Sequence, residues 1–212
     1  MTNLNDIGTE FHQPPLDAEG MDPNPITQFE KWILTAIERK EQDPNAMTLA
    51  TVDNTGHISA RIMLLKYFDQ NGFVFFTNYE SAKAQALAQN PNAALVFWWP
   101  KSEWQVRVEG KVRRLDEKHS DEYFHNRSRA SQIAASISKQ SHPVSSAQAL
   151  KAAFDQLKIE HEGKTLPRPT FWGGYLLEPQ KIEFWQGRPF RLHDRIVYQK
   201  ENGLWSKVRL SP

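Results

Sequence analysis

Near the C-terminus, the stretch FWQGRPFRLHDR (184–195) gathers Arg188, Arg191, Arg195, His193 and Asp194 behind two large aromatics. Arginine presents a planar fork of donors suited to phosphate or carboxylate, and histidine changes charge near neutrality. If the chain runs extended after the Gly187-Arg188-Pro189 turn, Arg191, His193 and Arg195 share one face while Leu192 and Asp194 take the other. Such a row repels itself unless an anion or an electron-rich ring lies between its members. The competing reading, a hairpin edge fanned into water, explains the segment equally well on its own.

Three further clusters carry similar chemistry. In YFHNRSRAS (123–131), Tyr123, Arg127 and Ser131 recur every four residues. On a helix that spacing turns each by only about 40° from the last, so a phenol, a guanidinium and a hydroxyl share a face that suits phosphate oxygens. Taken alone, the trio is better explained as a solvated helix face. In RIMLLK, Arg61 and Lys66 flank four apolar residues. Strand alternation sends the two cations to opposite faces unless a bulge intervenes, so they serve two different anions or simply cap a core strand. SKQS places Lys139, Gln140 and Ser141 after an expected helix, where an ordinary surface turn is the plainer reading.

Other chemistries lose ground. The seven histidines never fall at H-x-x-x-H spacing, and the ten glycines form neither G-x-G-x-x-G nor a P-loop nor a G-x-S-x-G elbow. No metal site is expected. With no cysteine, disulfides, thiolate catalysis and iron-sulfur ligation are excluded, which fits a reducing compartment and makes the cytoplasm the simplest location. The formal charge is +1, with 26 basic against 25 acidic residues, so no global field draws the chain to nucleic acid or to an anionic membrane. The longest apolar run, AALVFWW (93–99), is too short to span a bilayer, and the N-terminus does not read as a signal peptide.

Residues 1–24 are polar and proline-bearing and read as a mobile arm; 25–212 read as a single domain. Asn24-Pro25 opens a predicted helix on which Ile26, Phe29, Trp32, Ile33, Ala36 and Ile37 recur at helical spacing. The period then changes. AMTLATVD, HISARIMLLKYF and FVFFTN, separated by DNTG and DQNG, predict a three-strand meander. ESAKAQALAQN reads as a short helix, and AALVFWW and EWQVRVEGKVRRL as two strands, with Val106, Val108 and Val112 on one face and a bulge at Gly110. Helices are predicted over 116–138 and 146–160. FWGGYLLEP, KIEFWQ, RIVYQK and LWSKVRL close the chain as strands, the last two joined by an ENG turn. About eight short strands in hairpin order predict a mainly β (α+β) chain, an antiparallel barrel with peripheral helices.

RIMLLK, the TN before Lys83, WQVRVEGKVRRL, YFHNRSRASQI, SKQS, FWGG and FWQGRPFRLHDR stand in the order seen in pyridoxamine 5′-phosphate oxidases, and from about residue 26 onward the chain resembles that family. The resemblance implies an antiparallel split β-barrel and a homodimer with FMN at the subunit interface. It implies oxidation of pyridoxamine or pyridoxine 5′-phosphate to pyridoxal 5′-phosphate, with O2 reoxidising the flavin to give H2O2. Carried over, FMN contacts fall on Arg61, Ile62, Met63, Leu64, Leu65, Lys66, Phe76, Thr77, Lys83, Gln105, Gln140, Ser141, Trp185 and Arg195. The substrate phosphate falls to Lys66, Tyr123, Arg127 and Ser131, and the pyridine ring to the catalytic pair Arg191 and His193.

Two departures are visible. Many members have an arginine before the lysine matching Lys83, where this chain has Ala82, and many bacterial members carry an Arg-Arg-Glu-Tyr lid where this chain reads Gly8-Thr9-Glu10-Phe11. Two alternative functions compete: a phenazine-pathway FMN oxidase of the same superfamily, and a barrel binding single-stranded nucleic acid through its 7 tryptophans. Unused phosphate-binding residues argue against the first, and the balanced charge against the second.

Overall fold

The computed structural model describes residues 10–212. Nine antiparallel strands form one sheet: β1 (Ala46–Val52), β2 (Ile58–Leu64), β3 (Tyr67–Asp69), β4 (Gly72–Asn78), β5 (Asn92–Trp99), β6 (Trp104–Arg114), β7 (Trp172–Gln186), β8 (Asp194–Glu201) and β9 (Leu204–Leu210). The order is β2-β1-β5-β6-β7-β4-β3, with β8 on β7 and β9 on β8. The two ends of that path, β2 and β3, follow each other in sequence with only Leu65 and Lys66 between them. So short a link requires the sheet to curl until its ends meet. This is the split antiparallel barrel expected from the sequence, and RIMLLK lies along its seam.

The expected three-strand meander is corrected. HISARIMLLKYF breaks at Leu65-Lys66: β2 pairs with β1, and β3 pairs with β4, whose other neighbour is β7. FWGGYLLEP and KIEFWQ, read as two strands, are one 15-residue strand. Its first half pairs with β4 and its second with β8, while β6 follows almost its whole length. The bulge expected at Gly110 is present, as a register shift opposite Pro179. A Cβ at Gly110 would lie 2.1 Å from the Glu178 carbonyl oxygen, so only glycine fits. Asn202 and Gly203, both at positive φ, make the β8–β9 turn.

Helix α1 (Pro25–Glu38) fills the barrel. Asn24 caps it by accepting from the Ile26 amide at 2.8 Å. Phe29 and Trp32 point inward, Phe29 against Phe68, Phe73 and Phe97, and Trp32 stacked on Trp104 at 4.2 Å. Ile37, counted with the apolar face, is 52% exposed at the helix end. Strand β4 is buried throughout because both its faces are covered: Phe73 and Phe75 join the barrel core, Val74 and Phe76 a second cluster. That cluster is roofed by α3 (Glu117–Asn126), α4 (Arg129–Ile137) and α5 (Ala147–Glu160); α2 (Ala82–Gln89) follows β4. No helix among the described residues is long and apolar enough to cross a membrane.

Residues 10–24, read as part of an arm, hold no strand or helix. They are nonetheless tied to the sheet: Gln186 Nε2 donates to the Pro14 carbonyl at 2.7 Å, the Leu16 amide to Asp194 at 2.9 Å, and the Tyr198 hydroxyl to the Asp22 carbonyl at 2.6 Å. Gly8 and Thr9 of the expected lid position lie outside the described residues.

Candidate active site

One helix over 116–138 is not formed. α3 ends at Asn126, Arg127 is extended (ψ 155°), and Ser128 caps α4 by accepting from the Ser131 amide at 3.3 Å. The break is stabilised by Gln132, whose Nε2 donates to the carbonyls of Phe124, His125 and Arg127 at 3.1–3.2 Å, the acceptors a helix end leaves unpaired. Tyr123, Arg127 and Ser131 therefore share no helix face. They converge all the same on one cavity of about 690 Å³, from the end of one helix and the start of the next.

Ile62, Met63, Leu64, Lys66, Phe76, Thr77 and Gln140 line this cavity too. Its aromatic wall is a parallel stack: Phe76 lies 3.8 Å from Tyr123 and 5.5 Å from Trp172. The Arg127 guanidinium lies 4.6 Å over the Trp172 ring, and its Nη1 is buried without a hydrogen-bond partner. Burial lowers the Arg127 pKa, as it must for a cation held with no carboxylate beside it. Among the described residues the Arg127 side chain makes no hydrogen bond to the protein while the residue lines the cavity, a state that fits an anion-binding group.

A second cationic group adjoins the first. Lys83, 8% exposed, donates from Nζ to three neutral oxygens: Gln140 Oε1 at 2.9 Å, and Thr77 Oγ1 and Ser81 Oγ at 3.2 Å each. Arg61 donates to the Leu49 carbonyl, Thr51 and Ser59. Among the described residues neither cation has a carboxylate partner. Ser141 accepts from the Ala82 amide at 3.2 Å, at the start of α2. Arg61 and Lys66 thus belong to different groups, although β2 ends at Leu64 and Lys66 lies in the link to β3, outside the strand whose alternation suggested it. Leu65 is buried in the barrel core and does not line the cavity.

Burial first, then the Arg61 charge, lowers the Lys83 pKa to about 8. The folded value lies below the unfolded one, so between pH 8 and about 10.5 the unfolded chain binds more protons and folding stability rises with pH. Ligand-free protein is therefore expected to resist urea better at pH 9.5 than at pH 7.5, and Lys83→Met should remove much of that difference. An undiminished difference in the variant would assign the effect elsewhere.

The remaining predicted residues form a separate group. Gln105, Trp185 and Arg195 are in register across β6, β7 and β8, so they share one face of the sheet. They do not line the cavity, nor do Arg191 and His193. The extended run expected over 191–195 is corrected: Pro189–Arg191 is a 3₁₀ turn, Phe190 and Arg191 have φ of 58° and 60°, and β8 begins only at Asp194. His193 Nδ1 accepts from the Arg188 amide at 3.1 Å, which leaves the ring proton on Nε2. Burial and the Arg191 charge lower its pKa, favouring neutral imidazole. Arg195 is already neutralised, in a two-pronged pair with the buried Glu183 (2.9 and 3.1 Å) that raises its pKa.

Trp172, Asn78, Ser128 and Ser138 also line the cavity and were not singled out as site residues. All four lie in motifs that carry the family resemblance, Trp172 in FWGG, Asn78 in the TN before Lys83, Ser128 in YFHNRSRASQI and Ser138 in SKQS, so the signal that could have found them was the motif and not the residue type.

The family model described as pyridoxamine 5′-phosphate oxidase matches residues 33–160, and that described as the pyridoxine 5′-phosphate oxidase C-terminal dimerisation region matches 172–212. The chain belongs to the pyridoxamine 5′-phosphate oxidase family. A relative named pyridoxine/pyridoxamine 5′-phosphate oxidase from Burkholderia mallei (strain SAVP1) is 48% identical over 215 residues, covering 100% of both chains, and one from Burkholderia thailandensis is 47% identical over the same span. Among solved structures, PhzG from Burkholderia lata 383, in complex with tetrahydrophenazine-1-carboxylic acid, superimposes with a TM-score of 0.90 at 29% identity, covering 96% of this chain and 100% of that one. A pyridoxamine 5′-phosphate oxidase-related FMN binding protein from Nostoc punctiforme shares the fold, with a TM-score of 0.70 at 20% identity over 87% of this chain and 97% of that one. Members of this oxidase family are oxidoreductases, and in this chain the dimerisation region carries Trp185, Arg191, His193 and Arg195.

Proposed function

We propose that the chain is an FMN-dependent oxidase that converts pyridoxamine or pyridoxine 5′-phosphate to pyridoxal 5′-phosphate, with O2 as acceptor and H2O2 released. The observation that carries this reading is the set of cations without carboxylate partners, among the described residues, in and beside one cavity: Lys66 and Arg127 on its wall, Arg61 and Lys83 next to it. Lys83 is buried and Arg61 and Arg127 are half-buried, a costly state for cations unless an anion joins them, while Lys66 stands exposed at the cavity rim; two separate groups suit two phosphates. Arg61, Lys83, Gln140 and Ser141 would hold the FMN phosphate; the seam residues Ile62 to Lys66, with Phe76 and Thr77, would flank its ring. Lys66, Tyr123, Arg127 and Ser131 would hold the phosphate of the substrate.

Bound FMN supplies the acceptor for the hydride that leaves the substrate carbon bearing the amine or hydroxyl. The side chains named here bind and orient. Gln105, Trp185, Arg191, His193 and Arg195 lie off the cavity, so we infer that a second copy of the chain brings its own set to it, with FMN at the interface. The exposed apolar residues of β2 support this: Ile58 and Ile62 are 72% and 66% exposed, and Ile62 belongs to the cavity wall.

The phenazine alternative draws on the likeness to PhzG, yet a substrate without phosphate would leave Lys66 and Arg127 unmatched. Oxygen uptake distinguishes the two. Pyridoxine 5′-phosphate is expected to be turned over and unphosphorylated pyridoxine to be poorer by roughly a hundredfold or more in kcat/KM, the value of charge-assisted phosphate contacts. Equal turnover of both would overturn the assignment of the cavity.

A further inference from the structure

The backbone ahead of α1 is anchored on Glu103, in the turn between β5 and β6, next to Gly187 at the end of the strand that carries Trp185. The amides of His12 and Gln13 both donate to Glu103 Oε2, at 2.9 and 3.2 Å, and the Glu103 carbonyl accepts from the Gly187 amide at 2.8 Å. These bonds set Phe11 edge-on against both rings, 5.5 Å from Trp185 at 81° and 5.4 Å from His193 at 89°, while Trp185 and His193 lie 4.8 Å apart. Gly187 makes the room: a Cβ there would lie 2.3 Å from a Phe11 ring carbon. Among the described residues the His193 ring is otherwise held at Nδ1 by the Arg188 amide and on one side by Trp185, so the Phe11 edge from a third direction limits rotation of the imidazole.

We infer that Phe11 is a positioning residue: it holds the His193 imidazole against Trp185 in the orientation presented to substrate. The inference rests on His193 facing the substrate, as proposed above. It gives the N-terminal segment a role in the oxidation step through packing, with no polar contact of its own.

Two readouts test it on the full chain. In FMN-free protein with isotopically labelled histidine, the His193 ring resonance, assigned by its loss in His193→Asn, should shift in Phe11→Ala and return in Phe11→Tyr. In the FMN-loaded enzyme, Phe11→Ala should slow anaerobic flavin reduction by saturating pyridoxamine 5′-phosphate roughly three- to tenfold, with FMN content unchanged, and Phe11→Tyr should restore it. In the His193→Asn background Phe11→Ala should have no further effect, the signature of one residue acting through the other. An unmoved resonance, or an effect that adds to that of His193→Asn, overturns the inference while leaving the proposed function intact. If His193→Asn itself reduces flavin at the wild-type rate, the substrate role of His193 falls first and Phe11 with it.

Discussion

Arg127→Ala is expected to raise the Michaelis constant for pyridoxine 5′-phosphate by roughly ten- to more than a hundredfold, the loss of about 1.5–3 kcal/mol from a charge-assisted contact. FMN content should not change, because the cations assigned to its phosphate are Arg61 and Lys83. The physical basis is the Arg127 side chain, which lines the cavity and has its Nη1 atom buried with no hydrogen-bond partner. A cation kept in that state destabilises the ligand-free fold, so alanine should leave unfolding temperature unchanged or raised, although contact with Trp172 is lost. Arg127→Lys keeps the charge but not the fork and should recover only part of the affinity. A Michaelis constant unmoved by the alanine substitution would reduce Arg127 to a ring-stacking role.

Arg191→Ala is expected to lower turnover by about a hundredfold, the cost of misplacing a reacting carbon by about an ångström, and to weaken substrate binding as well. Arg191 is held at φ 60° in the turn that begins at Pro189, a conformation unfavourable for residues other than glycine and tolerated where the surrounding turn enforces it. Arg195→Ala should fail differently. It leaves the Glu183 carboxylate, 3% exposed, with only Arg107 at 3.5 Å, so loosened FMN should come with lower stability. If the site is shared between two copies, mixing Arg127→Ala with Arg191→Ala chains creates dimers with one site doubly damaged and the other intact. Activity should then return towards half that of wild type per mixed dimer. No recovery would place Arg191 and the cavity on the same chain.

Much of this fold was legible because its signals are local. Val106, Val108 and Val112 alternate into the core, FVFFTN is apolar on both faces because both are covered, and Gly110 marks a bulge no side chain could occupy. What escaped depends on distant pairing or on conformations that propensity disfavours. The apolar pattern of HISARIMLLKYF says nothing about β2 pairing with β1 while β3 crosses to the far edge of the sheet. Arg-Pro-Phe contains no glycine, yet Phe190 and Arg191 both take positive φ, which removed the common face expected for Arg191, His193 and Arg195. The Tyr123, Arg127 and Ser131 cluster was found through a helix that is interrupted; a cap at Ser128 and three bonds from Gln132 redirect the chain so that the side chains meet without sharing a face. The contact of Phe11 with Trp185 and His193 spans more than 170 positions and leaves no local trace.

The proposed oxidase passes electrons from a phosphorylated B6 substrate to a bound flavin. Purified protein loaded with FMN and mixed with pyridoxamine 5′-phosphate in the absence of oxygen measures this directly. Bleaching of the flavin absorption is expected, with one pyridoxal 5′-phosphate formed per flavin and recovery of the colour when oxygen is admitted. A flavin that stays oxidised with saturating pyridoxamine and pyridoxine 5′-phosphates would contradict it.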